Sequence, residues 1–483
     1  MNARIARIAC ATAAGLLIQS SGGLARAAGA ELRVGRAAVK ITPGQGLPMA
    51  GYYSVRLNEG VHDDLGAKAI VLESGGVKAA LVACDLIGIP AGIVEKARER
   101  ITATTGVRGD NVMISATHSH TGPSISSRLD GLDKKTLRLV QEYVDLLPER
   151  IAESVRRAEA DLAAARVSAA VGHEDSVAFI RRFRMKDGSI GWNPGKRNPN
   201  IVRPLGEIDP ALPVVYFDTP EGAPLAAYVN YANHLDTVGG MEYSADYPYT
   251  LAKLLGAAKG PDMLTVFTIG TAGNVNHIDV NSATSQKGHD EAARIGAILA
   301  GEALRTFRNL RAVEPGALQA SREIVQLPLA PVRPEDPAWA LGVVAKYGTA
   351  EAAPFLDQVY AFKAIEIDER QGRPIEAEVQ VISLGGQIAW VGLPGEIFVE
   401  LGKAIKLASP FPHTIVVELA NGSIGYVPDR RAYPEGAYEV ISSRVAAGAG
   451  EMLVDTAVRL LIQHRQRFLP ELKGRYSGAV GDH

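Results

Sequence analysis

The period of the hydrophobic positions changes repeatedly along the chain, and each change marks an element. Residues 68–72 and 77–83 are apolar runs joined across Gly75-Gly76, which predicts two strands and a tight turn. Residues 91–105 are amphipathic at helical spacing and stop near Gly106, and 111–116 is again strand-like. The stretch 135–165, rich in Ala, Leu, Arg and Glu, predicts a long helix. Strand character returns at 167–171, 213–217 and 226–231, followed by a helix at 245–258 that Gly260-Pro261 stops. An apolar run at 263–269 and a helix at 288–308 close this half. The second half mixes a strand (320–327), a proline-rich break (331–337), a helix (338–366) and a hairpin (376–384 with 387–391). A helix at 398–407, a strand at 414–419 and a closing helix at 448–468 follow. The alternation gives the fold class as α/β, a single large mixed-sheet domain with flanking helices, because no Ser-, Gly- and Pro-rich linker divides the chain.

Residues 1–27 stand outside this pattern. Arg4 and Arg7 precede an apolar stretch from Ile8 to Ile18, and Ala25-Arg26-Ala27 supplies small residues around a cleavage point, the order of a secretory signal. The stretch is too short and too rich in Ala and Gly to remain as a membrane span. The expected organisation is therefore a signal peptide (1–27), a catalytic domain (28–470) and a tail (471–483), exported to the periplasm or secreted, with no integral span after processing. Loss of three arginines moves the formal charge from -2 to -5. Lys plus Arg (51) balances Asp plus Glu (53), so no basic field invites nucleic acid, and the expected partner is a small-molecule substrate. Cys10 leaves with the signal and Cys84 remains alone, so no intrachain disulfide is expected and Cys84 reads as a small buried hydrophobe.

The densest chemistry is Thr117-His118-Ser119-His120-Thr121-Gly122-Pro123, where an apolar strand runs out into a turn. On extended backbone, alternate residues share a face, so His118 and His120 can converge as metal ligands or as an acid/base pair; a hydrogen-bonded polar pair is the plain alternative. His234 leaves another strand in Asn233-His234, followed by Asp236, Glu242 and Asp246. Glu396 follows Pro394-Gly395 at the end of a third apolar strand, where a carboxylate can also simply complement a helix N-terminus. Tyr426 lies in the Gly-rich segment Asn421-Gly422-Ser423-Ile424-Gly425-Tyr426, and equally suits packing.

Taken in order, several segments resemble the neutral/alkaline ceramidases. They are Ile41-Thr42-Pro43, Met49-Ala50-Gly51-Tyr52, Gly60-Val61-His62, Thr117 to Pro123, Asn233-His234, Ser244-Ala245-Asp246, Pro394-Gly395-Glu396 and Asn421 to Tyr426. The resemblance runs from about Val34 to about Phe468 and implies their N-terminal catalytic domain. It implies a catalytic zinc held by His118, His234, Glu396 and Tyr426, with His120 beside the metal as acid/base or oxyanion partner. Two departures stand out. Asn276, in Ala272-Gly273-Asn274-Val275-Asn276-His277, occupies the place of the family's catalytic serine, and the chain ends where their C-terminal β-sandwich is expected to follow.

The resemblance implies hydrolysis of an N-acyl, ceramide-like amide, and because asparagine offers an amide hydrogen bond and no nucleophile, the attack is expected from metal-activated water. Asp246, His277 and Asn276 are the further candidates beside the metal. A glycoside hydrolase using Asp246 with Glu242 or Asp236 is the alternative, and a non-catalytic zinc-containing binding protein is the second. The basic, amide-rich stretch 181–203, with Arg182 and Trp192, reads as a loop that can line an entrance or as a solvated face. Tyr52, His62, Arg182, Trp192, Asp236 and Glu242 are the expected substrate contacts, the aromatic ones suiting a sugar or an acyl chain.

Overall fold

Apolar alternation along the strands is resolved into two faces. The computed structural model describes residues 31–125 and 132–468; the proposed signal and tail lie outside them. In Gly66–Ser74, Ala67, Ala69 and Val71 enter one core while Ile70 and Leu72 enter another, as a two-residue period requires. Pro224–Tyr231 and Ile388–Gly392 divide in the same way. Buried on both faces, these strands read as continuous hydrophobic runs.

Among the described residues, three sheets repeat one plan. In the first, Arg33–Lys40, Gly66–Ser74 and Val77–Cys84 are antiparallel neighbours, and Val112–Ala116 joins parallel to the last of them. In the second, Arg166–His173, Ala211–Asp218 and Pro224–Tyr231 are antiparallel and Leu264–Ile269 is parallel. In the third, Leu318–Leu327, Ile375–Leu384 and Ile388–Gly392 are antiparallel and His413–Val417 is parallel. A parallel partner needs a crossover, and helices α1 (Ala91–Thr104), α3 (Tyr247–Lys259) and α7 (Val399–Ala408) supply it. After each fourth strand a longer helix returns: α2 (Lys134–Ala160), α4 (His289–Phe307) and α9 (Ala449–Gln466). The inner faces of the three sheets share one core, with Leu72, Leu81, Phe217, Tyr228, Trp390 and Ile415 among its members, while the helices cover the outer faces.

This plan fixes where loops gather. The first strand of each sheet is antiparallel to the second and the second to the third, so the first ends where the third ends. Insertions between first and second strands, residues 41–65, 174–210 and 328–374, therefore lie at the same edge as the carboxyl ends of the parallel strands, where α/β sheets bind ligands.

The sequence expectations need three adjustments. The helix expected over 135–165 ends at Ala160, and Ala163–Ala164 already pairs with Arg33–Lys40. The helix expected over 338–366 is two helices, α5 (Asp336–Val344) and α6 (Phe355–Glu369), because Gly348 adopts φ 75 and Pro354 starts a new helix. The basic stretch 181–203 holds a three-stranded sheet of Arg182–Met185, Ile190–Trp192 and Ile201–Pro204. Cys84 is fully buried, as its apolar context implied.

Candidate metal centre

His118, His234 and Glu396 each leave a different sheet, and His120 follows His118 from the first. His118 follows Val112–Ala116, and its amide donates to the Leu86 carbonyl at 2.8 Å, tying the two parallel exits together. His118 has φ 76, a left-handed backbone that costs a non-glycine residue roughly 1–3 kcal/mol and that surrounding structure must impose. His234 follows Pro224–Tyr231 and is braced by Asn233, whose carbonyl accepts from the Tyr247 hydroxyl at 2.6 Å. Glu396 follows Ile388–Gly392 and begins a short parallel ladder in which Glu396–Ile397 pairs Tyr426–Val427.

The side chains converge tightly. His118 Nε2 lies 3.0 Å from His234 Nε2 and 3.3 Å from His120 Nε2. Glu396 Oε2 is 3.4 Å from both His118 Nε2 and His234 Nε2. His118 Nδ1 lies 2.8 Å from the Ile87 carbonyl and His234 Nδ1 3.0 Å from the Ala272 carbonyl, so each ring spends its N–H on backbone and turns an Nε2 lone pair inward. Donors about 2.0–2.1 Å from a tetrahedral ion are separated by roughly 3.3–3.4 Å, close to the separations seen here. The donor set thus fits a divalent cation such as zinc, and His118, His120 and His234 form the cluster whose nitrogens could hold one.

Electrostatics prepare the same state. Burial, with Arg181 and His118, holds the His234 pKa well below its usual value, leaving the imidazole neutral. Burial alone would raise the Glu396 pKa, but His118 and His234 pull it well below the carboxylate range. Burial lowers His120 to about 4. Neutral imidazoles and an ionised carboxylate are the forms that bind metal. The Tyr426 hydroxyl bonds Glu396 and packs against the Arg181 guanidinium; burial pushes its pKa well up, Arg181 opposing.

The other expected site residues fall into distinct groups. His120 Nδ1 faces Asp236 Oδ1 at 3.6 Å, and the Tyr52 hydroxyl donates to the same oxygen, giving a Tyr52-Asp236-His120 chain. Asp246 is the N-cap of α3: it accepts from the amides of Thr237, Val238 and Tyr247 at 2.9, 3.0 and 2.7 Å, and burial still raises its pKa to about 6. Its carboxylate fixes the loop after His234 and is spent on backbone. Asn276 donates to Asn193 Oδ1 at 2.9 Å and accepts from the Ile278 amide at 3.1 Å. His277 pairs with the Gln286 carbonyl at 2.8 Å. Arg182 is buried in ion pairs with Glu435 and Glu439, and Trp192 packs in one aromatic cluster with Tyr438 and Phe355, which also stack on each other. His62 stacks on His289 with ring centroids 3.6 Å apart, and exposed Glu242 stands 3.9 Å from His289.

Sequence reasoning missed two participants. Arg181 is buried, bonds Glu439 at 2.8 Å and the Gly273 carbonyl at 2.6 Å, and places Nη1 3.3 Å from His234 Nε2. Gly51 has φ 102, and a Cβ there would lie 2.7 Å from His120, so glycine is required for the close approach. No single-residue signal marks either, since both depend on partners distant in sequence.

A cavity of about 350 Å³ opens over the cluster and is lined by His118, His120, Glu396 and Tyr426. Met49, Val55 and Ile125 add apolar wall, and Tyr53, Phe362 and Tyr438 add aromatic wall. Such a mostly apolar space with convergent polar groups suits a small organic ligand.

Comparison with known proteins agrees with this architecture. No family model matches the chain. Neutral ceramidase of Pseudomonas aeruginosa is 24% identical over 480 residues, spanning 85% of this chain and 69% of that protein. The crystal structure of neutral ceramidase from Pseudomonas aeruginosa matches with a TM-score of 0.70 at 21% identity, covering 91% of this chain and 75% of that one. A ceramidase complexed with C2 gives 0.69 at 20% identity, covering 91% and 76%. The chain is thus similar to neutral ceramidase in sequence over most of its length, and it shares that protein's fold.

Proposed function

We propose that this chain is an exported, zinc-dependent amidohydrolase that cleaves an N-acyl lipid or a related N-acyl amine with water as the direct nucleophile. The observation that carries the reading is the facing pair of His118 and His234 Nε2 atoms at 3.0 Å, with Glu396 Oε2 3.4 Å from each. Two inward lone pairs and a carboxylate at such spacing call for a cation among them. A zinc ion bound there supplies Lewis acidity to the scissile carbonyl and acidifies water.

The chain's own residues divide the remaining work. His120 takes a proton from the attacking water at Nε2 and returns it to the leaving amine, while Asp236 on the Nδ1 side fixes ring orientation and tautomer. Tyr52 holds Asp236 in turn. The buried Arg181 guanidinium faces Tyr426 and offsets negative charge gathered near Glu396. Apolar and aromatic walls receive the acyl chain. Tyr426 as a fourth ligand and Asn276 as a replacement for a nucleophilic serine belong to the same reading.

The amide assignment follows the Pseudomonas aeruginosa relative, a neutral ceramidase. Export follows the N-terminal signal pattern, and no described helix is long and apolar enough to cross a membrane. Glycoside cleavage finds no support: Asp246 is committed to three amides, Glu242 is exposed beside His289 and Asp236 is taken up by Tyr52 and His120, so among the described residues no carboxylate pair lines the cavity.

The test is metal analysis of the purified mature chain together with hydrolysis of short N-acyl sphingosine and simple N-acyl amines, with and without chelator. About one zinc per chain is expected, and His234→Ala or Glu396→Ala should remove both metal and activity. A metal-free His234→Ala protein with full activity would overturn the reading.

A further inference from the structure

The helical hairpin of the third insertion has a composition at odds with its place in the fold. Residues 337–345, Pro-Ala-Trp-Ala-Leu-Gly-Val-Val-Ala, contain no charged side chain, and the Trp339 indole is their one polar side-chain group. Yet α5 lies on the surface: Asp336 and Ala340 are its buried residues, Trp339 is exposed and Leu341 is 62% exposed. A helix apolar on every side is normally enclosed by protein or lipid. Exposed Phe355 and Leu356 at the start of α6 extend the patch.

The first insertion supplies a matching lip. Tyr52, Val55 and Leu57 are exposed there, and the Tyr53 ring packs on Phe355 and Phe362 at centroid distances of 5.3 and 6.1 Å. Tyr52, Val55 and Tyr347 line the cavity over the metal cluster, so both exposed apolar groups border one cavity.

We propose that this rim docks the protein on an uncharged or zwitterionic lipid surface, with the cavity opening into it. The choice of lipid as the occupant rests on the reading of the substrate as an N-acyl lipid. A second copy seated across both lips would close the cavity, whereas a lipid surface presents an amphiphile to it. Charge favours zwitterionic lipid. Arg333 and Lys346, at the two ends of α5, are paired with Asp336 at 2.7 Å and with Glu351 at 3.1 Å, and the formal charge of the chain is negative. Adsorption through such a face depends on apolar area, with Trp339 suited to the headgroup level.

The experiment is co-sedimentation of the mature protein with phosphatidylcholine vesicles that contain no amide substrate, for the wild type and for Trp339→Ser/Leu341→Ser. The wild type should bind, and the double variant should partition less by on the order of tenfold or more, the worth of partly burying two large apolar side chains. Zinc content and hydrolysis of a soluble short-chain N-acyl substrate should be unchanged in the variant, since neither residue lines the cavity. If the double variant does not fold by circular dichroism, Leu341→Ser alone carries the expectation. Absence of wild-type binding, equal binding by the variant, or binding only to anionic vesicles would overturn the proposal. So would a wild-type dimer that the variant converts to monomer in ultracentrifugation. A protein that hydrolyses no amide but partitions as expected would sink the substrate reading and leave the docking surface standing.

Discussion

Replacing Gly51 by alanine tests how closely His120 is seated. A Cβ at residue 51 would fall 2.7 Å from both Cβ and Nδ1 of His120, where ordinary contacts need about 3.5–4.0 Å. Something must move by roughly 1 Å. The loop cannot easily yield, because the Ala50 amide donates to the Gly122 carbonyl at 3.0 Å and Arg56 bridges the carbonyls of Ala50 and His120. Turning the His120 ring relieves Nδ1 but not Cβ, so the His120 backbone must shift with its ring. Overpacking and a left-handed alanine together should cost about 1–3 kcal/mol of stability. A displacement of this size at an acid/base group should lower kcat about 100-fold with KM little changed. His118, His234 and Glu396 are not touched, so zinc content should stay at the wild-type level. The assay is urea unfolding, metal analysis and steady-state kinetics on one purified batch. Wild-type kcat in Gly51→Ala would refute the acid/base role of His120, and loss of zinc with activity would make His120 a ligand instead.

Two further outcomes follow from groups away from the cluster. Asn276→Ala removes partners from Asn193 Oδ1 and the Ile278 amide, so it should cost about 1–2 kcal/mol while keeping zinc and a kcat within roughly tenfold. A fall beyond about 10³-fold, or an acyl adduct in intact-mass spectra of the wild type, would contradict direct attack by water. His464 is buried between Ser383 and Ser321 at 2.9 and 2.8 Å, and burial lowers its pKa to about 4. The unfolded chain then binds a proton that the folded chain refuses. Stability should be intact above about pH 6.5 and fall as pH drops toward 4, by up to about 3 kcal/mol. His464→Gln should flatten that slope in urea midpoints taken between pH 7.5 and 4.5; an unchanged slope would assign the acid sensitivity elsewhere.

What was legible in the sequence is what local pattern controls. Alternation through Ala69, Ile70, Val71 and Leu72 gives a strand whichever face meets the core, and His118, His234 and Glu396 stand out because each follows an apolar run. The threefold plan was hidden because it lives in strand order and direction, with no residue-level repeat to carry it. Arg181 and Arg182 read as a charged surface because Glu435 and Glu439, which neutralise them, arrive from the other end of the chain. Asp246 carries the residue type of a catalytic acid, yet its place before Tyr247 makes it a cap, and only the positions of three amides reveal that. The Asp236 contact to His120 likewise depends on how a loop returns after its strand.

The triplicated plan gives the metal cluster no single owner. His118 belongs to the first unit, His234 to the second and Glu396 to the third, so an ion bound among them acts as a keystone whose seating reports on all three at once. A fragment carrying the second or third unit holds a single donor of the cluster and no chelate. Part of the wall, by contrast, comes from separate insertions, with Tyr53 and Val55 in the first and Phe362 in the third, so one can be rewritten for a new ligand while the three strand ends that carry the cluster are left standing.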